Sequence, residues 1–254
     1  MKNKILTALL LCALVGCDKT PQQDPSAFAK AKLPNFQSIS DVTEKKQAFT
    51  DFILPLVDVN NQQLRELRQQ LIGYQESASN HKLNKTKLKR VEQLAKTYRV
   101  AFDSDINRVL QQLLMKVDVI PSALVLAQAA NESAWGTSRF AREGNNLFGQ
   151  WCYTKGCGLV PLSRVSGASH EVRKFTSVYQ SVSAYMLNLN SNPAYSDFQQ
   201  YRQQARQTGA LNAIDLASHL TNYSERGEAY VEELKKMIQI NQKLWPSSIA
   251  VTSS

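Results

Sequence analysis

The stretch AQAANESAWGTSRFAREGNNLFGQW, residues 127–151, places a glutamate, Glu132, at the end of an otherwise apolar helical run. A carboxyl group there is desolvated by its neighbours, and the negative end of the helix dipole opposes its ionisation, so both effects push its pKa upward. A carboxyl still protonated near neutrality can protonate the leaving oxygen of a glycosidic bond. The residues that follow supply matching surfaces. Trp135, Phe148 and Trp151 offer aromatic faces for sugar rings, and the amides of Asn145, Asn146 and Gln150 suit hydroxyl and N-acetyl groups. Each alone is more often core or turn; together, after an apolar helix, they indicate a carbohydrate cleft.

The elements that must hold these residues are read from periodicity. Pro121 suits the first turn of a helix, and SALVLAQAANESAW carries almost no charge until Glu132, which predicts a central helix buried on all sides. Gly136 is placed to end it. Six of the 10 glycines lie between Gly136 and Gly167, so that stretch is non-helical, and the runs LFGQWCY, GLVPL and HEVRKF predict a small hairpin lobe. Upstream, helical spacing starts near Glu44, is interrupted at PLVDVNN, and resumes with Leu64, Leu67, Leu71 and Ile72; two more amphipathic runs follow. Downstream, SVSAYMLNLN, AYSDFQQYRQQAR, AIDLASHL and ERGEAYVEELKKMIQINQKLW are helical, closed by Pro246, and SSIAVTSS reads as a frayed tail. The fold class is therefore mainly α (α+β), with one small β lobe.

Lys2 and Lys4 followed by ILTALLLCALVG have the form of a secretory signal, too short to span a bilayer. LVGC, residues 14–17, resembles a bacterial lipobox, which would make Cys17 the lipidated first residue of the mature chain. The expectation is a periplasmic protein anchored to a membrane by acyl chains. Residues 17–40, with three prolines among polar residues, read as a tether. The formal charge of +9 falls to about +7 once the leader is removed, yet no nucleic-acid motif accompanies the scattered basic residues. With Cys12 lost and Cys17 acylated, Cys152 and Cys157 remain to pair, and no second Cys/His pair stands at zinc spacing. His81, His170 and His219 lack a nucleophile partner and read as surface or packing residues.

The motif LAQAANESAWGTSRFAREGNNLFGQW resembles the N-acetylglucosaminidase domain family of the lysozyme superfamily, whose signature has this E-S-x-x-G-x-S-x-x-A-x-x-x-N-N-x-F-G form. AFTDFILPLVDVNNQQLRELRQQL and NYSERGEAYVEELKKMIQIN are similar to the bacterial Bax branch of that family. The resemblance implies a lysozyme-like domain over 117–246, preceded by a helical extension over 41–116; the frayed stretch makes 247–254 a disordered tail. It implies hydrolysis of β-1,4 bonds in peptidoglycan without a metal or organic cofactor, with Glu132 as general acid. Tyr223, in NYSERG, matches an active-site tyrosine of the family, and Tyr195 is a further candidate sugar contact. Family members often carry a second glutamate on the β lobe. Glu171 is the only acidic residue between Gly144 and Phe175, so it is the candidate base, with a strand-surface role as the alternative. Inversion needs carboxyls about 6.5–9.5 Å apart and retention about 5–5.5 Å. With Glu132 alone, the substrate's N-acetyl oxygen or its 6-hydroxyl would be the nucleophile.

Overall fold

The structure, a computed structural model, describes residues 28, 30–162, 164 and 167–252. The signal, Cys17 and half of the tether lie outside the described residues. Helix α1 (Val42–Ser79) is capped by Asp41, whose side chain accepts from the Glu44 amide at 2.8 Å. The helix runs straight through the PLVDVNN segment, where the sequence predicts an interruption. Pro55 removes one backbone hydrogen bond at a cost of about 3 kcal/mol, but Ile53, Leu56 and Val57 beside it are completely buried. Burying each contributes about 1.5–3 kcal/mol, which outweighs the proline. Asn61 then ties the helix to the rest of the chain, donating to the Ile120 carbonyl at 2.9 Å and accepting from the Ile120 amide at 3.0 Å.

Two short helices, α2 (Lys85–Thr97) and α3 (Ile106–Lys116), pack on the far half of α1 around Leu71, Val91, Leu94, Leu110 and Leu113. The larger core surrounds α4 (Ser122–Ser133), in which Ala123 through Ala130 are all buried, as its uncharged sequence predicts. Around it lie α5 (Arg139–Gly144), α6 (Val178–Ser191), α7 (Ser196–Arg206), α8 (Ala213–Ala217) and α9 (Glu228–Ile240). Between α5 and α6 stands the lobe, an antiparallel sheet of β1 (Trp151–Cys152), β2 (Gly158–Leu159) and β3 (Glu171–Arg173) in the order β1-β3-β2. A Cβ at Gly158 would lie 2.0 Å from the Val172 carbonyl oxygen, so only glycine lets β2 pair so closely with β3.

The frayed tail expected over 247–254 is corrected in part. Ser248–Ala250 forms β5, antiparallel to β4 (Ala210–Asn212), with Leu211 opposite Ile249. The reason lies just upstream: Trp245 is completely buried and its indole donates to Thr50 Oγ1 at 2.8 Å, pinning the chain beside β4. Ile249 and Val251 then pack against the main core at the two-residue spacing of a strand.

One buried ionic knot joins the extension to the domain. Asp118, between α3 and α4, accepts from Arg206 Nε at 2.8 Å and Nη2 at 2.5 Å, with Arg68 Nη1 at 3.7 Å. Arg202, completely buried, donates to the Lys116 carbonyl at 3.0 Å. Burial pushes the Asp118 carboxyl up, but the Arg206 hydrogen bond and the Arg202 and Arg68 charges outweigh it and hold the carboxyl below its ordinary value. Its stabilisation is therefore present above the ordinary carboxylate range and fades as pH falls through that depressed value. Asp118→Ala leaves buried guanidinium groups without a counter-charge, so denaturant unfolding at neutral pH should show a loss of about 3–5 kcal/mol. A loss under about 1 kcal/mol would mean that the knot is replaceable.

Candidate active site

Glu132 is the penultimate residue of α4, and the helix ends in an unusual way. Ala134, Trp135 and Gly136 all have positive φ, at 49°, 58° and 76°. For residues with a Cβ this left-handed conformation costs about 1–2 kcal/mol each, so the surroundings must impose it. They do so through Trp135, which stacks on Trp245 at 5.5 Å and meets the Phe49 ring edge-on at 5.4 Å, with Lys46 Nζ 5.2 Å from its centroid. Ser133 adds two bonds, donating to the Ala129 carbonyl at 2.5 Å and accepting from the Gly136 amide at 2.8 Å. The effect is a fixed exit from α4 that leaves Glu132 half-buried. Trp135 thus serves as packing for this turn, in contact with two rings and an ammonium group.

Burial raises the Glu132 carboxyl above the usual glutamate value; a hydrogen bond from Tyr230 opposes this, the nearby Glu233 charge adds to it, and Arg226 opposes it. The elevation anticipated from sequence is present, and desolvation is its main cause. Four tyrosines crowd this side. Tyr223 stacks on Tyr230 at 5.4 Å and lies 6.3 Å from Tyr185 and 6.1 Å from Tyr195. The Tyr223 hydroxyl donates to the Phe148 carbonyl at 3.2 Å, and Phe148 itself stacks flat on Tyr185 at 3.9 Å. A Cβ at Gly149 would lie 3.7 Å from Glu132 Oε2, so the 146–150 loop passes directly over the carboxyl.

The loop is built by two asparagines. Asn145 has φ 51° and donates to the Phe175 carbonyl at 3.0 Å, closing α5. Asn146 is buried and fully occupied: its amide donates to the carbonyls of Gln150 at 2.9 Å and Arg173 at 2.8 Å, and its oxygen accepts from Phe148 at 3.2 Å and Gln150 at 3.1 Å. No donor or acceptor remains on it for a sugar. Gln150 Oε1 accepts no hydrogen bond from the described residues. Trp151 is 55% exposed and stacks one face on His170 at 4.1 Å. Tyr195 is buried beside Tyr223.

Cys152 and Cys157 are joined in a disulfide, closing a loop at the tip of the lobe. Glu171 sits beneath it, with Oε1 accepting from the Gly156 amide at 3.0 Å and Oε2 from the Gly158 amide at 2.8 Å. Those two bonds hold its carboxyl below the ordinary value. A carboxylate so engaged is stabilised in its charged form and has its lone pairs directed at backbone, which suits loop support. His219 pairs with Asp197 at 2.7 Å and stacks on Tyr201. The sequence reading missed Gln128, Tyr185, Tyr230 and Glu233. Gln128 carries a signal, since it lies one helical turn before Glu132 on the same face; Tyr230 carries none, being brought there by α9.

Replacing Gly149 with alanine tests the loop's position. The positive φ of 63° should cost about 1–2 kcal/mol. The methyl placed against Glu132 should push that carboxyl further up, measured by carboxyl ¹³C NMR titration.

Residues 107–243 match the family described as mannosyl-glycoprotein endo-beta-N-acetylglucosaminidase, a span that begins in α3 and contains Glu132, the lobe and the tyrosines. Protein bax of Escherichia coli (strain K12) is 36% identical over 216 residues, covering 84% of this chain and 76% of bax. No solved structure matches. By that match and that identity, the chain belongs to the glucosaminidase family, as a Bax-like member whose helical extension precedes the family domain.

Proposed function

We propose that this protein hydrolyses β-1,4 bonds of peptidoglycan glycan strands as an endo-β-N-acetylglucosaminidase, with Glu132 as general acid. The observation that carries the reading is a half-buried carboxyl, raised by desolvation, beneath the 146–150 loop in a chain of this family. Its proton passes to the bridging oxygen as the bond from that oxygen to the anomeric carbon breaks. Tyr223 lies beside the acid, with Tyr195 against its ring. Trp151 presents its uncovered face to a ring. Asn145, Asn146 and Phe148 act indirectly, by shaping the loop, and Trp135 by fixing the helix exit.

The reading assigns Glu171 to the disulfide loop rather than to base catalysis, because both its oxygens accept from backbone amides. Glu233, the other carboxylate near Glu132, is paired with Arg226 at 2.7 Å. The nucleophile is then the substrate's own N-acetyl oxygen, with water completing hydrolysis. The same single acid favours a second reading in which the substrate's 6-hydroxyl attacks, giving anhydro-muramyl ends; product mass separates the two. Lipidation of Cys17 and placement in the periplasm belong to the proposal, resting on the leader sequence. Among the described residues no helix is long and apolar enough to cross a membrane.

Digestion of purified glycan strands tests the acid. Glu132→Gln should lose about 10²- to 10⁴-fold in rate, and equal release of products by both proteins would refute the assignment. The acid works protonated, so wild-type activity should persist above the ordinary glutamate range and fall as pH rises through the raised pKa. Trp151→Ala should raise KM by up to about tenfold with kcat little changed, the worth of one aromatic stacking contact.

A further inference from the structure

The turn that leads out of α4 is held by a segment whose composition reads as tether. Phe36–Ser38 forms a single 3₁₀ turn ahead of α1, and Phe36 is 1% exposed. Its ring lies against the Gly136 backbone: a Cβ at Gly136 would stand 2.5 Å from Phe36 Cδ2 and 2.9 Å from Cε2. The same ring meets Phe49 edge-on at 5.6 Å and Phe52 at 6.3 Å, and Phe49 in turn meets Trp135. Gln37 is exposed, yet both ends of its amide are used. Nε2 donates to the Thr137 carbonyl at 3.2 Å, and Oε1 accepts from Arg142 Nη1 in α5. Within the turn, the Thr137 amide donates to the Ala134 carbonyl at 3.2 Å and the Ser138 amide to the Ser133 carbonyl at 2.9 Å.

The turn needs such a hold. Its left-handed residues, Ala134 and Trp135 above all, are disfavoured by their own sterics, so contacts from elsewhere must keep them there. Trp135 is fixed by its packing; Phe36 and Gln37 secure the next two residues, Gly136 and Thr137. We propose that Phe36 and Gln37 are positioning residues, which hold the exit of α4 and with it the direction in which Glu132 presents its carboxyl. The segment ahead of α1 then acts on the acid as well as on the fold. This inference rests on the proposed role of Glu132, but two of its three readouts do not require turnover.

The experiment compares full-length Gln37→Ala, Phe36→Ala and Phe36→Leu with Val91→Ala, at a temperature where circular dichroism shows each folded. Val91 is completely buried in the separate core around α2, so its variant reports lost stability alone. Amide hydrogen exchange at Gly136, Thr137 and Ser138 should quicken by about two- to tenfold in Gln37→Ala, the worth of one hydrogen bond. Phe36→Ala should quicken it further, and Phe36→Leu, which restores an apolar filler, by less than Phe36→Ala. A carboxyl ¹³C titration, with Glu132→Gln assigning the resonance, should show the Glu132 value fall toward the ordinary range in Gln37→Ala and Phe36→Ala, as a loosened exit admits water. In glycan digestion Phe36→Ala should lower kcat by about ten- to a hundredfold with KM little changed, the cost of misplacing a reacting group. Val91→Ala should alter none of the three. Turn amides that exchange no faster in Gln37→Ala and Phe36→Ala would overturn the proposal. So would faster exchange with the Glu132 titration unmoved, since the hold would then be structural alone, and so would equal effects in Val91→Ala. Should wild type fail to digest glycan while the titration moves, the positioning stands and the enzymatic reading falls.

Discussion

A carboxyl group kept out of water at the end of an apolar helix is the constraint around which this molecule is arranged. Taking a carboxylate away from solvent costs several kcal/mol unless it is neutralised or hydrogen-bonded, and α4 offers almost nothing polar except Gln128 and the residues beside Glu132. The remaining polar atoms have to arrive from α6 and α9. Those helices bring tyrosines, whose rings pack as core while their hydroxyls reach inward. The result is a site whose walls are apolar, and burial among them is what keeps the glutamate elevated.

The parts farther from Glu132 serve that arrangement. Three successive left-handed residues turn the chain away as soon as the acid has been placed, and the strain of that turn is held by Trp135 against Trp245 and Phe49. Phe49 belongs to α1, so the helical extension lies directly behind the helix exit. The same extension is fastened again through Asn61 at Ile120 and through Arg68 at Asp118. On the opposite side the 146–150 loop needs Asn146 as an internal brace, and the lobe beyond it relies on a disulfide with Glu171 beneath the loop it closes. Polar residues whose types suggest sugar ligands are, in space, largely the framework of the 146–150 loop.

Much of this was legible in the chain itself. The burial of α4, the placement of Glu132 at its end, the glycine-rich lobe, the Cys152–Cys157 pair and the helices on either side follow from periodicity, composition and short spacing, all of which act locally. Contacts between distant residues decided the rest. Pro55 lies within a helix because neighbours on its buried face outweigh one lost bond, and the last residues form a strand because Trp245 brings them to β4. Tyr230 reaches Gln128 across 102 residues and Tyr185 reaches it across 57, separations at which sequence spacing carries no signal. The chain by itself fixed where the acid stands; which tyrosines surround it was settled only by folding, because a hydroxyl's partner depends on which helices meet.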